Sequence, residues 1–287
     1  LAAQSPRLKD REDAVDEIGR ITGLEMPSDD PAELAGQWLN QLDQNRISRA
    51  LLIASLPNDE ESVAAAVKLH PDRFHGAFFF NPKEPEPEAR LIRALDDLKL
   101  QVVCLFPAMH GFSLADDPNV RKIAEIVSKR KGTAIFVHCG ALSVGIRRKL
   151  GLKSPFDLRL SNPLEVHRLA SEFPEVNFII PHFGAGLWRE TLMAADLCPN
   201  IFLDTSITNK WTKYEASATD TRTVFERTIE VTGTSRLLFG SDSSFFPRGW
   251  NSTILESQLE VMAGLRLSND DIAGILGGNL RQLLAVD

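Results

Sequence analysis

Three apolar runs of this chain end on a side chain that binds metals or moves protons: FVHCG at His138, IIPHFG at His182 and FGSDSSF at Asp242. Two imidazoles and one carboxylate form a borderline-soft donor set that suits zinc, with manganese or iron as alternatives. A metal held there acidifies a bound water or grips a carboxylate or carbonyl oxygen. Without a metal the same residues keep a chemistry of their own, Asp242 as base and the two imidazoles as donors to a developing oxyanion. Each also has a structural reading, as a satisfied imidazole or a turn-capping Asp. What sets the three apart is that they stand at corresponding positions of different segments.

A second tier follows the ends of other runs. His110, Trp188, Arg248 and Trp250, with Phe245, offer an aromatic wall and a cation able to hold an aromatic carboxylate, and packing alone would also account for these aromatics. His167 falls inside a helical pattern, while His70 and His75 lie near the start of a run, at the wrong end for chemistry.

The elements that must position these residues read as alternating strands and helices. Seven runs rich in β-branched and aromatic residues lie at 47–55 (ISRALLIAS), 74–81 (FHGAFFFN), 100–106 (LQVVCLF), 133–138 (TAIFVH), 176–182 (VNFIIPH), 200–205 (NIFLDT) and 236–241 (RLLFGS). Most are apolar on nearly every residue, the pattern of parallel strands buried on both faces. Helical signals fill the intervals. Asn162 and Pro163 open one helix, Val120, Ile123 and Val127 stripe another that Gly132 closes, and Leu91, Leu95 and Leu98 stripe a third. Ser268 with Asp271 resembles a capping box.

Strict alternation means a parallel sheet, closed or open. No GxGxxG follows the first run, which favours the closed (β/α)8 TIM barrel over a dinucleotide-binding sheet. Seven strands are one short of eight, so the first strand is expected before Leu1. The chain 1–287 reads as one barrel domain. Residues 31–46, with Leu34, Trp38 and Leu42, form its first helix, and 1–30, a charged helix and a Pro/Asp loop, form an insertion over the barrel mouth.

With 43% hydrophobic and 25% charged residues the chain is globular in composition. A net charge of −7 argues against nucleic acid as a partner. No run approaches the roughly 20 apolar residues of a membrane span, and no signal-peptide core is seen, so a cytoplasmic location is expected. The three cysteines, Cys104, Cys139 and Cys198, form no CxxC pair and are expected to be reduced.

From residue 74 onward the chain resembles the amidohydrolase-related family, in the branch of aminocarboxymuconate semialdehyde decarboxylase and related aromatic-acid decarboxylases and hydrolases. The blocks FPAMHGFSLADDP, FVHCG, FPEVNFIIPHFGAGLW, NIFLDTS, LLFGSDSSF and ILGGNLRQLL follow the family order. The resemblance implies that His138 and His182 follow the fifth and sixth barrel strands and bind metal. It implies that Asp242 follows the eighth, as ligand or general base. The family's His-x-His pair is absent from the chain, and Cys104 and Phe106 stand where many relatives have Lys and His, which excludes a carboxylated lysine there and implies one metal rather than two. Cys104 reads as a buried hydrophobe rather than a nucleophile.

The expectation is therefore a metal-dependent hydrolase or non-oxidative decarboxylase of a small carboxylated or cyclic small-molecule substrate, with one divalent ion, zinc before manganese, and a homodimer by resemblance. The alternatives are a metal-free barrel acting as a lactonase-like hydrolase through Asp242, or a non-catalytic binding protein.

Overall fold

The computed structural model describes residues 1–286 apart from Arg7, Ser55, Thr208 and Asn209; the last residue of the first expected strand, Ser55, thus lies outside the described residues. All seven apolar runs form strands: β1 Ala50–Ala54, β2 Phe74–Phe80, β3 Val102–Leu105, β4 Ala134–Val137, β5 Asn177–Ile180, β6 Ile201–Asp204 and β7 Leu237–Leu238. They pair in sequence order, all parallel, in one sheet. The sheet is α/β and of TIM-barrel type, with β1 and β7 as its edges.

Helices precede and follow the strands as the patterning requires. Helix α1 spans Ala14–Thr22 and α2 Pro31–Gln44, ahead of β1. After successive strands come α3 Glu60–Leu69, α4 Pro87–Ile92, α5 Pro118–Val127, α6 Pro163–Glu172, α7 Trp188–Leu197, α8 Thr221–Thr232 and α9 Ser252–Gly264. Their starts are chemically marked. Asp30, Asp117 and Asn162 each accept a backbone N–H before a proline at the first helical position, and Ser268 with Asp271 completes a reciprocal capping box. Gly132 departs from expectation: α5 already ends at Val127 with Ser128 as its cap, and Gly132, at φ 76°, makes the turn into β4.

Alternate strand residues face two apolar layers. Phe78, Phe80, Val103, Leu105, Ile135, Val137, Phe178, Ile180 and Leu203 pack with the helices. Ala77, Phe79, Val102, Cys104, Ala134, Phe136, Ile179 and Leu238 fill the barrel interior together with Phe106. A fully buried Phe contributes about 1.5–3 kcal/mol by removal from water. The interior phenylalanines also form the floor of the site, with Phe106 4.2 Å from Phe79 and 6.2 Å from Phe136 between ring centroids.

Strand β7 is shorter than its run because, after Leu238, the Phe239 N–H donates to Ile275 O instead of a neighbouring strand. Helix α2 packs on α3 and on the segment after β7. Trp38 and Phe246 have ring centroids 4.8 Å apart, and Gln41 Oε1 accepts from Trp250 N at 3.0 Å. Leu8 and Ile18 bury with Leu150 of the segment after β4. Among the described residues no helix is long and apolar enough to cross a membrane.

Candidate active site

His138 continues β4 by one residue, its N–H donating to Leu105 O at 2.9 Å. Strand alternation then turns the imidazole toward the interior layer, where it stacks on Phe106 at 5.3 Å. It is 5% exposed, and its buried Nδ1 has no hydrogen-bond partner. Burial, and next the neighbouring His182, push its pKa down to about 3, so the ring is neutral at physiological pH.

A depressed histidine pKa has a stability consequence with a definite sign. The unfolded chain takes up this proton below about pH 6.5, while the folded chain resists until about pH 3. Stability is therefore unaffected at neutral pH and falls as pH drops through that window, with a slope approaching about 1.4 kcal/mol per pH unit from this one group. Denaturant unfolding at pH 7 and pH 5 should show a smaller acid loss in His138→Gln than in the parent. Equal losses would remove His138 from the account.

His182 follows β5 in a different backbone setting. Residues 182–186 all have positive φ, 55° at His182, 53° at Phe183, 87° at Gly184, 46° at Ala185 and 98° at Gly186. For the non-glycine members this left-handed region costs roughly 1–2 kcal/mol each, and packing over-determines it. Phe183 is fully buried against Phe225, and a Cβ on Gly184 would overlap the Thr191 hydroxyl. Ring Nδ1 of His182 lies 2.9 Å from Ser206 O and 2.8 Å from Ser206 Oγ. The His182 N–H donates to Asp204 Oδ1 at 3.3 Å.

The two imidazoles meet edge to face, ring centroids 5.4 Å apart at 60°. Their loops are clamped together, with Ala141 N donating to Ala185 O at 2.8 Å and Gly140, at φ 73°, lying against the carbonyls of Gly184 and Ala185. Beside the His138 loop, a cavity of about 340 Å³ is lined by residues 141–143, Ser154, Phe156, Leu158 and Tyr214, with neither histidine nor Asp242 in its wall.

Asp242 is exposed, four residues past the end of β7, in left-handed conformation at φ 48°. Arg248 Nη2 donates to its carbonyl at 2.8 Å, and the Arg248 guanidinium lies 4.2 Å over the Phe245 ring. Trp250 packs 6.2 Å from Phe239 and leaves its buried Nε1 without a partner. Trp188 faces the helix layer: its indole N–H donates to Thr228 Oγ1 at 3.2 Å and its ring is 6.0 Å from Trp211. His110 is half-buried beside Phe112 in a narrow crevice with Asn58, Glu84 and Arg90, and burial lowers its pKa. Burial pushes the thiols of Cys104 and Cys139 up, which suits inert core residues.

Asp204 and Ser206 were not singled out by sequence reasoning, although their signal is visible. In NIFLDTS a charged residue ends a buried strand, at the position where β4 and β5 give way to His138 and His182.

The donor chemistry fits a metal in part. A neutral, desolvated imidazole with an orphaned nitrogen next to a second imidazole is what a divalent ion requires. A zinc site needs at least three protein ligands, and among the described residues no three His, Cys, Asp or Glu side chains lie close enough to hold an ion. Two donors are in place and the count is short.

Comparison with known proteins places these features. A segment of 171 residues, 58% of this chain, is 23% identical to Protein fluG of Emericella nidulans, and the match spans only 18% of that protein. A TIM-barrel protein of Bordetella bronchiseptica superposes with a TM-score of 0.65 at 19% identity, covering 99% of this chain and 94% of the other. The 5-carboxyvanillate decarboxylase of Novosphingobium aromaticivorans, bound to manganese and 3-methoxy-4-hydroxy-5-nitrobenzoic acid, superposes with a TM-score of 0.59 at 16% identity over 100% of this chain and 87% of its own. The amidohydrolase family model matches residues 24–286, nearly the whole chain and all seven strands. The chain belongs to the amidohydrolase family.

Proposed function

We propose that the chain hydrolyses, or removes carbon dioxide from, a small carboxylated or cyclic substrate bound at the C-terminal ends of the strands, with His138 and His182 as the reactive centre and Asp242 as the proton carrier. The observation that carries this reading is the edge-to-face imidazole pair at 5.4 Å, one ring desolvated on Phe106 and the other backed by Ser206. A cavity of about 340 Å³ beside residues 141–143 of the His138 loop suits a ligand of one ring, within the usual range of small-molecule sites. Its lining of hydroxyls and apolar groups, without a charged side chain, would receive the neutral body of such a substrate.

In hydrolysis His182 or Asp242 takes the proton of the attacking water. In decarboxylation Asp242 delivers a proton to the carbon that loses carbon dioxide, while the buried neutral His138 shields the reacting carboxylate from water. One divalent ion, zinc or manganese, is part of the proposal: His138 and His182 would hold it, and it would supply Lewis acidity. Residues 1–30, of which Leu8 and Ile18 pack on the segment after β4, are read as a cover of this face.

Protein as purified should contain about one equivalent of zinc or manganese by elemental analysis and should turn over aromatic carboxylates or lactones. Asp242→Asn is expected to lower kcat about 10²- to 10⁴-fold with little change in stability, because Asn tolerates the left-handed backbone at this exposed position. Activity that survives exhaustive chelation would favour the metal-free reading, in which Asp242 and His182 suffice. Failure of both substrate classes with metal-replete protein would overturn the proposal.

A further inference from the structure

The hydrogen-bond directions around His182 can be assigned from chemistry alone. Asp204 Oδ1 receives three donors, the His182 N–H at 3.3 Å, the Ser206 N–H at 3.0 Å and the Ser206 hydroxyl, which makes its closest contact there. A carboxylate carrying three donors on one oxygen acts as acceptor, so the single Ser206 hydroxyl proton points at Asp204. The Oγ lone pairs then face His182 Nδ1 at 2.8 Å, and the Ser206 carbonyl oxygen, 2.9 Å from the same nitrogen, only accepts. Two acceptors converge on Nδ1, and that nitrogen carries the proton.

We infer that Asp204 and Ser206 are positioning residues that lock His182 as the Nδ1-protonated tautomer, leaving Nε2 as its one lone-pair nitrogen for substrate, water or ion. This deepens the proposed function and rests on His182 being a reactive residue. The relay crosses three strands: His182 follows β5, Asp204 ends β6, and Gly240 after β7 leaves room for the carboxylate. A Cβ on Gly240 would overlap Asp204 Oδ2 and lie 2.6 Å from Asp204 Cγ. Backing one imidazole nitrogen in this way commonly governs affinity or activity by 10- to 100-fold.

The test is a long-range ¹H–¹⁵N correlation spectrum of the uniformly labelled full chain as purified, with His182 assigned by its disappearance in His182→Asn. The expected result is a proton on Nδ1 in the parent chain. Asp204→Ala frees the Ser206 hydroxyl to donate to Nδ1, and Ser206→Ala removes one acceptor. Asp204→Ala should populate the Nε2–H tautomer and lower kcat/KM about 10- to 100-fold, while Ser206→Ala, in which the backbone carbonyl still accepts from Nδ1, and Ser206→Thr keep the Nδ1 proton. Gly240→Ala should mimic Asp204→Ala. A proton on Nε2 in the parent overturns the inference even if no variant folds, as does full retention of Nδ1–H in Asp204→Ala. A correct tautomer in a chain that turns over neither substrate class would leave the relay standing and remove the proposed function.

Discussion

Gly140→Ala is expected to lose roughly 2–5 kcal/mol of stability, a large part of the 5–15 kcal/mol that holds a typical domain together. Two costs add. At φ 73° the new side chain meets the left-handed penalty of about 1–2 kcal/mol. Its Cβ would also overlap the backbone carbonyl of Gly184 and lie 2.6 Å from that of Ala185, and overpacking against atoms that cannot turn aside costs about 1–3 kcal/mol. The melting temperature should fall by roughly 10 °C, read by circular dichroism, and any folded remainder should be inactive because the clamp sets the spacing of the two imidazoles. Gly145→Ala is the control. Its Cβ would meet nothing within 4 Å, and that variant should melt like the parent.

The second large effect is His182→Asn. Asparagine accepts the left-handed backbone that His182 adopts, and its amide can still donate to Ser206 O. Stability should therefore change by less than about 1 kcal/mol, while kcat falls by about 10²- to 10⁴-fold, the span of general acid–base catalysis. Steady-state kinetics on the substrate that the parent turns over decides it. A variant with parental kcat would show that the imidazole takes no part in the reaction.

The two variants also separate what the sequence discloses from what it conceals. The strands are legible because a parallel sheet covered on both faces leaves a strand such as VVCL no polar option. His138 and His182 are legible for the complementary reason, that an imidazole ending such a run needs an explanation. Their nearness requires only that β4 and β5 be neighbours, as consecutive strands usually are.

Other features depend on directions that spacing does not encode. Trp188 opens α7 as expected of a residue after a strand end, yet its ring turns toward Thr228 and Trp211 in the helix layer. Arg248, a promising cation on paper, is engaged by the Phe245 face and the Asp242 carbonyl. The Asp204–Ser206 relay joins residues 22 and 24 positions from His182, and only the register of β5 against β6 brings them together. The left-handed run at 182–186 is equally hidden, because three of its five residues are types that normally avoid it.

Helix α2 has a consequence for the order of assembly. Its bond from Gln41 to Trp250 spans 209 positions, whereas the clamp between Ala141 and Ala185 closes a far shorter loop. Loop closure of the longer kind is slower and comes after the sheet exists. A chain emerging from the ribosome should thus set its histidine pair first and anchor the Asp242 loop last. The proposed site would mature in two stages, and a truncated or stalled chain would carry the imidazoles without Asp242.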